Sequence, residues 1–554
     1  MKQAFIIMAA GVTALVLLYQ LWAFSSTAAG SMDEHQQQSQ ELPKAQTPPT
    51  ARHNIWADLT HQETLTLLRW LHSRNSGLNL TEPEKASQFD DFLLVTELLR
   101  PNKTDAIAYL DHGASPPPRF ARITVKRNSV EPPDIAEYLV GPLSESNELS
   151  IEPLRFVHNS GRSTTVNPHA DVVALSEWLD RVADNVADIL ADLFGRPVGV
   201  MLDETKTPKF EASTVDQVFE EDGRQLRWAG FSPESDAPTL LPQGLYFKAD
   251  TTGRDPEQWR VVQWFYNNIT YSTTEEFRIA WETPGFEKMD GNRDGIWTHI
   301  EPDGLPLISG DYSSNRPPQM TQPGGSRIFL DKEQSYVSWM GITFNFAFSQ
   351  VNGIALYDLR IDGERVMYEL SLQEALAHYA GSDPVQGSTA FLDSMYGIGT
   401  QTGELLPGYD CPEYAHFLDL EYHRMEKTYR RPGSLCIFEA PTEYPLLRHA
   451  RARSYTSFSN SILIVRTITV VGNYDYLIDY IMYLDGTIET KVRASGYIQG
   501  AYSPPNANSS LYGYHLRPTF SSSIHDHVLN FKADLDISNA SLNTLLQTSI
   551  LPTS

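Results

Sequence analysis

The sequence predicts an α+β architecture in which two small mixed units precede a large antiparallel β-sandwich. Two amphipathic helical stretches, each followed by short extended segments, occupy the first half. From about residue 290 the texture changes to short alternating strands without long helical patterns. Within that region Asp362-Gly363 and Asp485-Gly486 each separate two apolar alternations, as hairpin turns requiring positive φ do. With 554 residues, 41% hydrophobic and 20% charged, the chain has ample core and the balance of a folded protein. Asp plus Glu number 69 against 43 Lys plus Arg, a formal charge of −26. Such a field repels a phosphate backbone, which excludes nucleic acid as a partner, and favours the approach of cations.

The elements follow in order. Lys2 precedes an uncharged run, Ala4 to Phe24, long enough to cross a hydrocarbon core about 30 Å thick as a helix. Residues 1–30 are therefore expected to be a membrane anchor or signal segment, with the small-residue stretch Ser25 to Gly30 as a cleavage region in the second case. The body is then extracytosolic, either anchored or secreted, in keeping with Asn-x-Ser/Thr glycosylation triplets at Asn79, Asn102, Asn268, Asn508 and Asn539. Residues 31–54, rich in Gln, Pro, Thr and Ser, read as a stalk.

A first α+β unit is expected over 55–150. Thr60 and Glu63 have capping-box spacing ahead of Leu65, Leu67, Leu68 and Leu71, and Ala106 to Leu110 and Arg119 to Lys126 read as strands. A second unit, 151–270, carries one long helix whose apolar residues recur from Val172 to Leu193 and which Gly195 ends. The sandwich spans 290–537, and 538–554 is an atypical tail. No internal repeat is found. The two cysteines, Cys411 and Cys436, either close a loop in an oxidising compartment or are two unrelated buried thiols.

Three stretches in the sandwich could carry chemistry. In 469–476 an apolar strand runs into Gly472-Asn473-Tyr474-Asp475-Tyr476, which by itself also fits a bulge with a core tyrosine. His525 and His527 lie at i and i+2, on one face of a strand, where both imidazoles reach one metal ion or form a solvated edge. Phe391-Leu392-Asp393 places a carboxylate in an aromatic, Gly-containing loop, or simply a turn-forming Asp.

In order and setting, these stretches resemble the copper amine oxidases, the quinone-containing primary-amine oxidases. Asn473-Tyr474-Asp475 is similar to the family's Asn-Tyr-[Asp/Glu] motif, so the resemblance implies Tyr474 as precursor of topaquinone and Asn473 as part of its setting. His525 and His527 match two of three copper ligands, Asp393 the catalytic base, and Phe391 the aromatic gate. Tyr379, in Tyr379-Ala380-Gly381-Ser382-Asp383-Pro384, matches the tyrosine that hydrogen-bonds the quinone. Cys411 and Cys436 fall where many members form a disulfide, and Asp534-Leu535-Asp536 is similar to half of a peripheral calcium site. The likeness covers about 55–537 and includes Leu98 to Lys103.

The resemblance implies oxidative deamination of a primary amine by dioxygen to aldehyde, ammonia and hydrogen peroxide, with Asp393 taking the amine's Cα proton. Burial among aromatics should raise that carboxyl toward a useful pKa. The Phe391 gate favours an apolar or aromatic amine. A homodimer is implied for a full-length form, with the hairpin at Asp362-Gly363 among its arms. The family's third copper histidine comes well after the His-x-His pair, and no histidine follows His527 in this sequence. Two readings follow: an incomplete version of an amine oxidase, or a truncated, catalytically inactive, membrane-tethered binding or decoy protein.

Overall fold

A computed structural model describes residues 51–537 except 132, 144–147, 155–171, 200–208, 216–218, 300–318, 382, 453 and 505–510. The apolar N-terminal run, nearly all of the expected stalk, the triplets at Asn508 and Asn539 and the tail from 538 lie outside the described residues. Among the described residues no helix is long and apolar enough to cross a membrane. Asn54, expected at the end of the stalk, is already buried, and its Nδ2 donates to the Phe346 carbonyl at 3.1 Å.

Two antiparallel sheets form the sandwich. One has nine strands, running from Ile488–Gly496 through Tyr474–Tyr483, Ser461–Val471, Lys427–Pro441, His416–Arg424, Phe92–Leu99, Phe120–Arg127 and Asp134–Gly141 to Ser150–Pro153. The other has seven: Phe329–Asp331, Tyr336–Trp339, Ile342–Ser349, Gly353–Ile361, Glu364–Tyr379 and Ala390–Leu392, with His525–Leu535 laid along Glu364–Tyr379. Their facing sides interdigitate in one core that includes Trp339, Phe344, Leu356 and Leu372 from the second sheet and Leu435, Leu463, Tyr476 and Met482 from the first. A separate six-stranded sheet, built from strands between 210 and 271, packs Phe231, Phe247 and Trp264 against the helical residues Ile189, Leu193 and Phe277.

Several expectations are corrected. The first α+β unit packs a core of its own, with Leu67 and Leu71 of its helix against Leu93, Ile123 and Val125 of its strands, but its sheet is not separate and joins the sandwich sheet at one edge. Phe92–Leu99 is buried along nearly its whole length and pairs with His416–Arg424 through Val95 and Arg424, so it continues the sandwich sheet. Ala106 to Leu110, expected as strand, lies in the helix Lys103–His112. The Asn102 side chain accepts from Asp105 N, Gly113 closes the end at φ 72°, and Ala106 and Leu110 are buried one turn apart. The helix expected from Val172 to Leu193 is two, Val172–Asn185 and Ala187–Phe194, parted at Val186, whose φ of −119° and ψ of 17° leave the helical region.

Other features match expectation. The Thr60 and Glu63 capping box forms, and Gly195 takes a φ of 72° after the second helix. Asp362 and Gly363 have φ of 50° and 86°, and Gly486 of 88°. The Asp362-Gly363 hairpin is exposed at its tip, with its flanking Arg360 and Arg365 bound to Asp358 and Asp111. A second exposed hairpin pairs Leu447–Arg451 with Ser454–Phe458. Cys411 and Cys436 form a disulfide beneath Phe438 and Ile464.

Two electrostatic ties hold the sandwich. Asp479, wholly buried, receives Arg466 Nε at 2.6 Å, Arg466 Nη2 at 2.8 Å and Arg493 Nη1 at 2.8 Å. At the far end of His525–Leu535, the Lys103 ammonium bonds Asp534 at 2.7 Å and also Asp536. Burial works against that charge, but the two carboxylates outweigh it and raise the Lys103 pKa. A resident lysine thus bonds both carboxylates expected to hold calcium, while Asp536 Oδ2 is left with no hydrogen-bond partner.

Removing Asp479 should strand Arg466 with its counter-ion gone. Asp479→Ala is expected to cost about 3–5 kcal/mol, read as a lower urea midpoint. Calcium or a chelator should leave the thermal midpoint of the chain unchanged, whereas Lys103→Ala should make the midpoint calcium-dependent.

Candidate active site

The site is assembled by one ladder and one hairpin. In the ladder, Tyr379 ends the strand Glu364–Tyr379 and pairs with His525, the first residue of His525–Leu535; Ala377 pairs with His527. Side chains two apart on a strand share a face, so both imidazoles come to one side, with ring centroids 4.8 Å apart. Tyr379 stacks on His525 at 4.5 Å. The hairpin joins Ser461–Val471 to Tyr474–Tyr483, with Val471 paired to Tyr474 and only Gly472 and Asn473 between them. Gly472 has φ 58°, the conformation that a first turn position of this kind demands and that glycine adopts freely. The turn sets Tyr474 at the very start of its strand, beside the imidazole pair.

Hydrogen bonds then fix the orientation. His525 Nδ1 lies 2.8 Å from the Ser523 carbonyl, which only accepts, so Nδ1 carries the proton in the neutral ring. Nε2 is left with its lone pair, and the Tyr474 hydroxyl at 3.0 Å donates to it. Tyr379 in turn donates to the Tyr474 oxygen at 3.5 Å. Tyr476, two residues on and therefore on the same face, meets His527 Nδ1 at 2.6 Å. Burial, and then the neighbouring His525, push the His527 pKa down, which keeps this imidazole neutral.

Asp393 opens the single helical turn Asp393–Tyr396. It is 2% exposed, and its Oδ2 has no hydrogen-bond partner in the protein. Burial, with a smaller contribution from Glu374, pushes its carboxyl up to about 7. Its charge acts on both Tyr379 and Tyr476, which places it in the same pocket of tyrosines. Phe391 stands edge-on to Tyr379 at 6.5 Å between centroids.

Of the residues singled out in the sequence, Tyr379, Phe391, Asp393, Tyr474, His525 and His527 converge here. Asn473 turns away, its Nδ2 donating to the Tyr497 carbonyl. Asp534 and Asp536 lie at the other end of an 11-residue strand, roughly 30 Å off at 3.3 Å per residue. Cys411 and Cys436 belong to a different core cluster. Sequence reasoning missed Tyr476 and Glu374. Period-two spacing from Tyr474 marks the first. Glu374 has no local signal; it accepts from Ser394 N at 3.0 Å and so holds the turn that presents Asp393. As donors, two imidazoles beside a phenol are of the kind copper takes. Among the described residues no third His, Cys, Asp or Glu joins them, so the residues present fit copper as part of a ligand set.

Comparison with known proteins agrees with this arrangement. The family model for the copper amine oxidase enzyme domain matches residues 330–554, and one for a domain of unknown function matches 237–305. A copper amine oxidase of Bipolaris victoriae, vicK1, is 36% identical over 515 residues, covering 91% of this chain and 69% of its own. The copper-containing diamine oxidase of Mus musculus is 29% identical, with 90% and 68% covered. Among solved structures, the amine oxidase of Aspergillus nidulans superposes with a TM-score of 0.79 at 43% identity, covering 89% of this chain and 65% of that one. The lysyl oxidase of Pichia pastoris gives 0.81 at 35% identity, with 89% and 66% covered. The chain thus spans about two thirds of the length of these relatives. With the tyrosine, the two imidazoles and the buried carboxylate meeting in a sandwich shared with these proteins, the chain belongs to the copper amine oxidase family.

Proposed function

We propose that the chain serves the copper- and topaquinone-dependent oxidative deamination of primary amines. The observation that carries this reading is the contact of the Tyr474 hydroxyl with His525 Nε2 at 3.0 Å, next to His527. Copper bound at His525 and His527 would supply, with dioxygen, the oxidation that turns the Tyr474 phenol into topaquinone and the later reoxidation that releases hydrogen peroxide.

The remaining work falls to the chain's own residues. Tyr379 holds the Tyr474 oxygen by hydrogen bond and keeps the ring from turning. Asp393 is the base for the amine's Cα proton. A carboxyl of ordinary pKa, near 3.9, binds that proton too weakly, whereas one held at about 7 is matched to neutral pH. Phe391 lines the approach and favours an apolar or aromatic amine over a doubly charged one. An acidic surface draws protonated amines inward. An extracytosolic body suits the disulfide, and the homodimer expected from the family would use the exposed hairpin at 447–458.

A second reading is a catalytically inactive, membrane-tethered binding or decoy protein. Incubation of the purified chain with Cu(II) in air separates the two. The enzyme reading expects bound copper and a quinone redox-cycling stain, lost in Tyr474→Phe. Asp393→Asn should still stain while turnover falls about 10²-fold or more. A chain that takes up neither copper nor stain counts against the enzyme reading.

Asp393 also makes stability depend on pH. Its folded-state pKa is raised from 3.8 to about 7, so the folded state holds this proton more tightly than the unfolded chain does. The penalty for ionising it starts above 3.8 and is complete above about 7. Asp393→Asn should therefore raise the denaturant midpoint more at pH 8 than at pH 5.

A further inference from the structure

Three of the five Asn-x-Ser/Thr triplets fall within the described residues, at Asn79, Asn102 and Asn268, and the fold treats them differently. Asn268 stands at the tip of the hairpin that joins Arg260–Tyr266 to Ile269–Tyr271. Tyr266 pairs with Ile269, so only Asn267 and Asn268 make the turn. Their φ values of 50° and 59° are the left-handed pair that such a two-residue turn requires, and Asn tolerates it better than most side chains do. Asn267 is spent, its Nδ2 donating to Glu287 Oε2 at 3.1 Å. The Asn268 side chain makes no hydrogen bond among the described residues, and Asn268, Ile269 and Thr270 are all exposed. The whole triplet is thus presented to solvent.

Asn79 is similar. It follows the single turn Arg74–Ser76, which Gly77 closes at φ 71°, and it is exposed, with no hydrogen bond from its side chain among the described residues. Thr81, two residues on, is fixed by its N–H on the Asp91 carbonyl at 2.8 Å and by its hydroxyl on Asp90, but the Asn79 amide is free. Asn102 is the opposite case. It caps the helix Lys103–His112, with Oδ1 accepting from Asp105 N at 2.9 Å and Nδ2 donating to Asp105 Oδ2 at 2.7 Å. The next residue, Lys103, is tied to Asp534 and Asp536. A sugar takes one hydrogen of Nδ2 and sets a bulky group on it, so cap and sugar compete for the same short side chain. Every partner of this cap lies within the next turn, so the cap forms from local sequence before distant segments meet.

We propose that Asn79 and Asn268 carry N-linked oligosaccharides and that Asn102 stays bare as a helix cap. The donor is an oligosaccharide on a lipid pyrophosphate. The Asn Nδ2 forms the bond to the anomeric carbon, the bond from that carbon to the pyrophosphate breaks, and the Nδ2 proton passes to a base of the transferase. At Asn268 the sugar stands beside Ile269, an apolar side chain otherwise 53% exposed, and shields it from water. The proposal rests on the extracytosolic reading of the body, since such a transfer takes place only across the membrane. It does not rest on the redox reading, because neither acceptor lies on the strands that carry Tyr379, Tyr474 and the histidines.

The test is peptide mapping of the full chain made in a eukaryotic secretory host. Peptide-N-glycosidase in heavy-oxygen water turns each occupied asparagine into an isotope-labelled aspartate. The label is expected at Asn79 and Asn268 and not at Asn102. Asn79→Gln and Asn268→Gln should each remove one glycan from the intact mass, and Asn102→Gln none. Asn102→Gln should instead lower the thermal midpoint, and Asn102→Asp, which keeps the capping oxygen, should restore it. A labelled Asn102 overturns the proposal, as does an unlabelled Asn79 or Asn268 in chain that microsomes protect from added protease. Chain that its own N-terminal run leaves unprotected refutes the extracytosolic reading instead. Placed behind a cleavable secretory signal, that chain still tests the acceptors, and a bare Asn79 or Asn268 there overturns the proposal.

Discussion

The antiparallel ladder between Glu364–Tyr379 and His525–Leu535 is the constraint on which the site depends. Strand pairing has a period of two, and a slip by one residue sends every side chain to the opposite face. In the observed register Tyr379 meets His525 and both imidazoles point to the side from which Tyr474 arrives. Slipped by one, the strand would present Asp526 there and turn both histidines away. The register is anchored at the far end by Lys103, whose ammonium grips Asp534 and Asp536. It is supported between the ends by Leu529 and Phe531, which pack on the sandwich core. A helix near the start of the chain thus helps to hold a strand near residue 530, and through it the histidines.

The electrostatics of the site follow from burial more than from pairing. Asp393 is kept out of water with no cation beside it, and Glu374 adds a like charge, so its carboxyl rises. The His527 imidazole is pushed the other way for the same reason, since burial penalises its charged form. A neutral His527 imidazole and a carboxyl poised near neutrality are the states that metal binding and proton abstraction require. One desolvated pocket supplies both. Elsewhere the sandwich spends its charges differently: Asp479 is equally buried, but two arginines compensate it and it serves structure.

The edge pairing of Phe92–Leu99 with His416–Arg424 shows where local reading loses its hold. Amphipathic patterns identified the helix after Thr60 and the helical stretch from Val172 to Leu193, and the Asp-Gly pairs located two hairpins, because those signals lie within a few residues of the structures they specify. Ala106 to Leu110 misled because a short apolar run fits strand and helix alike. The Asn102 cap and Gly113 decide it for helix. The pairing of Val95 with Arg424 spans more than three hundred residues, and nothing in either segment names its partner. The same holds for Arg360 and Arg365 beside Asp362-Gly363, which find Asp111 in a distant helix.

The sequence by itself determined the family, the order of the motifs and most of the site. Those residues are specified by chemical type: a tyrosine after Gly-Asn, histidines two apart, and an aspartate after an aromatic. The tertiary structure alone decided what surrounds them. It brought Tyr476 and Glu374 to the site and gave Asp534 and Asp536 a lysine. Each of these outcomes rests on burial or on contact between segments far apart in the chain, and burial, which sets the pKa of Asp393, exists only once the layers have packed.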